Sequence, residues 1–147
     1  MRRHLMLIAA AGLILAADAR DDAVKKDVKL FEGTWKVVSL EMEGMKSPEE
    51  QYKDAKLVCK GTDFTFTDPG GTEYKGTFKI DPTAKPKTLD LTFAEGPNKG
   101  EVMLGIYELD ETTFKFCAKP MTKERPTEFS AKQGSGQVLE ILKKEKK

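Results

Sequence analysis

The sequence predicts an all-β protein, a single antiparallel up-and-down β-barrel of eight or nine strands with one short helix between the first and second strands. Three observations carry this expectation. Apolar and polar residues alternate with a period of two along several runs, so each run has one apolar and one wet face. The runs are joined by short segments of turn-forming residues, which makes consecutive strands antiparallel neighbours. A meander of that many strands exposes two edges unless it closes on itself, and closure into a barrel removes both. A two-sheet sandwich is the alternative.

The first 19 residues read as an export signal. Arg2, Arg3 and His4 form a basic start, Leu5 to Leu15 an apolar stretch of 11 residues, and Ala17-Asp18-Ala19 a small-x-small site with cleavage expected after Ala19. The apolar stretch is short for a bilayer-spanning helix, a retained anchor being the competing reading. No cysteine stands directly after it, which speaks against a lipoprotein. The expected location is therefore secreted or periplasmic. Cleavage would leave residues 20–147, with 23 basic and 23 acidic residues after the loss of Arg2, Arg3 and Asp18 from totals of 25 and 24. A net charge of zero argues against nucleic acid or an anionic membrane held by bulk charge. Residues 20–29 are expected as a charged linker or a loose helical turn, and residues 30–147 as the barrel domain.

The expected strands are Thr34–Met42, Lys56–Lys60, Asp63–Thr67, Glu73–Asp81, Lys87–Phe93, Glu101–Leu109, Thr113–Ala118, Thr127–Lys132 and Gln137–Glu145. Alternation is cleanest in the middle of the chain. Phe64 and Phe66 alternate with Asp63, Thr65 and Thr67; Tyr74, Gly76, Phe78 and Ile80 with charged or hydroxylated neighbours; Leu89, Leu91 and Phe93 with Thr88, Asp90 and Thr92. Asp68 to Gly71 ("DPGG") is a tight turn in which glycine supplies positive φ. The interruption "SPEEQYKDA", Ser47 to Ala55, has a capping serine, a proline suited to the first turn and two glutamates at the positive end of the dipole. It predicts a short helix over one mouth of the barrel.

Several chemistries drop out. His4 is the only histidine and belongs to the export signal, so after cleavage neither histidine-dependent nucleophilic catalysis nor a histidine-based zinc or copper site is available. No cofactor motif and no metal site is expected; "DPGGTE" lacks the regularly spaced oxygen ligands of a calcium loop. Glu108, Asp110 and Glu128 are the carboxylates open to acid–base work, but their spacing does not demand it and no enzymatic activity is expected. Cys59 and Cys117 form an even pair in a disulfide-permissive compartment. By strand parity, however, Cys59 points inward with Leu57 and Cys117 outward with Lys115, which opposes a bridge.

"FEGTWKVVSLE", with its Gly-Thr-Trp, resembles the opening strand of the lipocalin and fatty-acid-binding superfamily, whose signature is Gly-x-Trp. More closely, "GTWKVVSLEMEG", "KPKTLDLTF", "EGPNKGEVMLGIYELD", "KERPTEFSA" and "GSGQVLEILKK" resemble a lipocalin-like domain family abundant in planctomycete bacteria, across nearly all of Phe31 to Lys144. That family brings no activity with it. The wider superfamily implies a calyx for a small apolar ligand. Fatty-acid-binding proteins often hold the ligand carboxylate with Arg-x-Tyr in the final strand, whereas "QVLEILKKEKK" contains neither residue. Many lipocalins stack a late arginine on the signature tryptophan, and the candidate here is Arg125.

Phe64, Phe66, Phe78, Phe93, Phe114, Phe116, Phe129 and Tyr74 point inward by parity. An eight-stranded barrel is wide enough either to be filled by such side chains or to hold one small ligand, and both readings stand. If a pocket exists, Trp35, Phe66, Tyr74, Phe78, Phe93 and Phe116 are its expected lining, with Trp35 at its floor or plugging the closed end beneath it. The loop Lys119–Phe129 is expected to border the open mouth, with Arg125 and Glu128 closing the rim through a mutual salt bridge. The function expected is an exported, non-enzymatic binding module for a small apolar or amphipathic ligand. The alternative is a solid barrel that meets a protein partner, or inhibits one, through its rim loops.

Overall fold

The computed structural model describes residues 7–146, and the basic start at Arg2, Arg3 and His4 lies outside them. A helix, α1 (Leu7–Phe31), leads into the strands β1 (Gly33–Met42), β2 (Met45–Lys46), β3 (Lys56–Lys60), β4 (Asp63–Thr67), β5 (Glu73–Asp81), β6 (Lys87–Glu95), β7 (Val102–Leu109), β8 (Thr113–Ala118) and β9 (Val138–Lys144). Every pairing is antiparallel between neighbours in space, and β1 pairs with both β3 and β9, which closes β1 and β3–β9 into an eight-stranded barrel. The two-residue β2 is an appendage, folded back on β1 through Glu43 and Gly44, both at positive φ as a tight hairpin turn requires.

Three local expectations are corrected. Residues 20–29 are not a linker but part of α1, whose Val24, Asp27, Val28 and Phe31 recur at helical spacing and pack onto the closed end of the barrel. The short helix expected between the first two long strands is present as a single 3₁₀ turn, Glu49–Gln51, but Ser47 does not cap it: its N–H donates to Leu40 O (2.8 Å) and extends the β1–β2 hairpin. Thr127–Lys132 is not a strand. β8 already pairs with β7 on one side and β9 on the other, so a closed barrel offers that segment no free edge. It runs instead as an irregular strap across the outer face of β7–β9, where Phe129 and Ala131 cover Ile106, Cys117 and Leu139 in a second small core. Phe129 therefore points at the outside of the wall, and Lys115 Nζ lies 4.9 Å from its ring centre.

The main core is inside the barrel and densest at the end closed by α1. The Phe31 ring stands 5.0 to 5.4 Å from those of Phe114, Phe78 and Tyr107. Asp27 is buried and accepts hydrogen bonds from Tyr107 Oη (2.7 Å) and Lys87 Nζ (2.9 Å). The last carbonyls of α1 have no partner within the helix; Trp35 Nε1 donates to Phe31 O (2.8 Å) and Lys144 Nζ to Leu30 O (2.7 Å). Two inward glycines make room for rings. A Cβ on Gly76 would lie 1.9 Å from Thr92 O, and one on Gly105 would lie 2.3 Å from the Phe116 ring.

Candidate functional site

The interior is not filled. Above the Phe31–Phe78–Phe114 floor is a cavity of about 270 Å³, near the roughly 300 Å³ low end of small-molecule pockets. It opens towards the β4–β5 turn and the β6–β7 connection, where Asp68 and Asn98 stand at its edge. Period-two alternation builds its walls, since alternate residues of β4, β5, β6 and β8 face inward and most of them are rings or leucines. Phe66, Tyr74, Phe78, Phe93 and Phe116 all line it. Phe64 meets Phe93 edge-on at 5.6 Å and Phe66 lies 6.1 Å from Tyr74, so the walls are braced by contacts among the rings themselves.

Trp35 is not part of this lining. It is fully buried beside the floor, against Phe114 (5.9 Å), with Lys144 Nζ 5.0 Å from its ring centre. The cation over the tryptophan is thus Lys144 and not Arg125. Arg125 lies on the outer wall, where Nη1 donates to Gly105 O (2.8 Å) and Nη2 forms an ion pair with Asp90 Oδ1 (2.7 Å). Glu128 pairs with Lys132 (3.3 Å) and not with Arg125. Arg125 therefore fastens the strap to the wall. The β8–β9 connection leaves the barrel at the same end as the cavity mouth, yet none of its residues lines the cavity.

One charged side chain projects into the apolar space. Glu140 on β9 lines the cavity beside its cross-strand partner Phe116 on β8 and is paired on the other side with Leu40 on β1. Glu140 is partly buried. Among the described residues no side chain or backbone group donates a hydrogen bond to its carboxylate, and no basic group lies within salt-bridge distance. Burial without compensation pushes its pKa up to about 7. At the mouth, Asp68 Oδ1 accepts from the N–H groups of Gly70 and Thr72 (both 2.9 Å), and the Tyr74 hydroxyl is 3.5 Å from Oδ2. Among the described residues, no lysine, arginine or histidine lines the cavity.

The remaining candidates are spent elsewhere. Cys59 lines the cavity and Cys117 belongs to the outer core; both are free thiols, on opposite faces of the wall. Burial pushes Cys59 up to about 12, so it is a protonated, unreactive thiol at neutral pH. Glu108 and Asp110 border a separate hollow on the outer surface, of which Glu128 is not a part. Asp110 is held below the usual carboxylate range by the N–H groups of Thr112 and Thr113 (both 2.8 Å), which makes it a turn-closing residue. Glu140, Asp68 and the Phe31 plug are absent from the expected site. The alternation that revealed the aromatic wall is silent in "VLEIL", where both faces of the strand are apolar and the parity of Glu140 is ambiguous.

Comparison with protein-family models and with curated proteins found no match for this chain.

Proposed function

We propose that the protein is an exported, non-enzymatic binding module that captures one small apolar or amphipathic molecule inside its barrel. The observation that carries this reading is the unfilled, aromatic-walled cavity above an otherwise tightly packed floor. A barrel of eight strands is wide enough to hold one small ligand when its own side chains do not fill it. About 270 Å³ is nearly twice the roughly 150 Å³ cavity that accommodates benzene, so a two-ring compound is the upper range of ligand size. The likeness to the lipocalin-type calyx supports the same reading, and Leu5 to Leu15 with its basic start supports export.

A second reading, contact with a protein partner through the rim, is favoured by Met121, which is 97% exposed at positive φ in the β8–β9 connection. The two readings separate on dye uptake. A neutral naphthylamine dye is expected to bind one per chain, with energy transfer from Trp35, the only tryptophan. Leu91→Phe, which puts a ring into the cavity, is expected to abolish uptake while leaving the fold intact. A native protein that takes up no dye, and carries no small molecule in native mass spectrometry, refutes ligand capture.

A further inference from the structure

We infer that the cavity selects lipophilic amines, the ammonium group of the ligand pairing with the carboxylate of Glu140 while its apolar body lies against the aromatic wall. This rests on the reading that the cavity holds a ligand and names the chemical class it takes. Glu140 is partly buried in an apolar wall, and its carboxylate has no hydrogen-bond donor or counter-charge among the described residues, so holding it ionised there is costly. Glu140 cannot escape that cost by turning outward. Its inward direction is fixed by the pleat of β9, whose flanking residues Leu139 and Ile141 occupy the other face. A ligand that brings a positively charged donor to this carboxylate relieves that cost, and the cavity is where such a group meets it.

The rest of the lining agrees. Among the described residues, the ionisable side chains bordering the cavity are the acids Glu140 and Asp68, with the weakly acidic Tyr74 and Cys59; none is basic. A fatty acid would bring a second carboxylate against Glu140 in a medium of low dielectric, where like charges repel strongly. An amine reverses that sign. Asp68 at the mouth adds a second negative charge on the path inward, and the faces of Phe116 and Phe93 suit a cation as well as an apolar ring. The raised pKa of unliganded Glu140 fits the same picture, since a paired ammonium restores the ionised form.

Three probes with one naphthalene body decide the matter: 1-naphthylmethylamine, 1-naphthalenemethanol and 1-naphthoate. Each is titrated into the full chain at pH 8 by displacement of the neutral dye. The amine is expected to bind at least about tenfold tighter than the alcohol, as desolvated charge pairs do, and the carboxylate to bind weakest. Glu140→Gln, nearly isosteric, is expected to erase the amine's advantage while leaving the alcohol's affinity within about threefold. If dye and alcohol bind but the amine has no advantage in the native protein, or keeps it in Glu140→Gln, this inference is overturned and ligand capture stands. If neither the dye nor any probe binds, both fall. The ranking in the native protein decides the outcome even where the variant folds poorly.

Discussion

Glu140→Gln should stabilise the protein, and by an amount that depends on pH in a definite direction. In the unfolded chain Glu140 titrates near its ordinary value of 4.5; in the folded barrel burial moves it to about 7. Below pH 4.5 the carboxyl is protonated in both states and contributes no difference. Between these values the folded state holds a proton that the unfolded state has released, so stability falls as pH rises. Above pH 7 the full penalty is present. A rise from 4.5 to about 7 corresponds to about 3 kcal/mol at most, and to roughly 2 kcal/mol if water reaching through the mouth solvates part of the charge. The amide has no charge to desolvate and resembles the protonated acid in shape. Urea unfolding, followed by Trp35 fluorescence and far-ultraviolet circular dichroism from pH 4 to 8.5, measures the difference. At slopes of about 1–3 kcal/mol per molar urea, the variant's midpoint should lie about 1 M higher at pH 8 and coincide with the native one at pH 4. A variant that is less stable at pH 8, or a difference that does not change with pH, would show that Glu140 is compensated within the protein.

Asp27→Ala leaves the buried Tyr107 hydroxyl without its acceptor and Lys87 without its partner; a loss of about 2–3 kcal/mol in urea unfolding is expected, most of it from the hydroxyl because Lys87 is partly solvated. The same variant should speed amide exchange in residues 20–31, and unchanged protection there would mean that α1 is held by Phe31 alone. Gly76→Ala puts a methyl group 1.9 Å from the backbone oxygen of Thr92, which no side-chain rotation relieves, so a loss of about 3 kcal/mol or more is expected and a neutral outcome would refute the packing described for β5 and β6.

How much of this was legible in the sequence depended on whether a residue's neighbours made its direction unambiguous. In β4, β5 and β6 polar residues fill the alternate positions, so the inward set of Phe64, Phe66, Tyr74, Phe78, Leu89, Leu91 and Phe93 follows from parity alone. The inward Cys59 and outward Cys117 follow in the same way. Parity fails where both faces are apolar, as around Glu140, whose outer neighbours Leu139 and Ile141 serve the second core and the barrel surface. It also misleads where alternation occurs outside a sheet. Thr127 to Lys132 alternates well enough to suggest a strand, but both sides of β8 are taken. The docking face of α1 was hidden for a different reason. Val24, Asp27, Val28 and Phe31 show the spacing of one helical face, yet in a run so rich in charge that spacing reads as a solvated segment until the barrel end it covers is known.

That face bears on how a barrel can leave its interior unfilled and still fold. All four docking residues lie C-terminal to Ala19, so cleavage after that residue would leave the plug attached to the domain it closes. At the closed end, the Phe31 rings-and-floor contacts, the Asp27–Tyr107–Lys87 cluster and the capping of helix carbonyls by Trp35 and Lys144 concentrate burial and satisfied polar groups in one region. Fully burying aromatic side chains contributes about 1.5–3 kcal/mol each, so a floor of this kind can offset an uncompensated carboxylate and a void elsewhere. The stable floor and the costly cavity with Glu140 are consequently adjacent layers of the same barrel. A substitution such as Phe31→Ala should therefore unfold the molecule before it alters ligand preference, whereas Glu140→Gln should do the reverse.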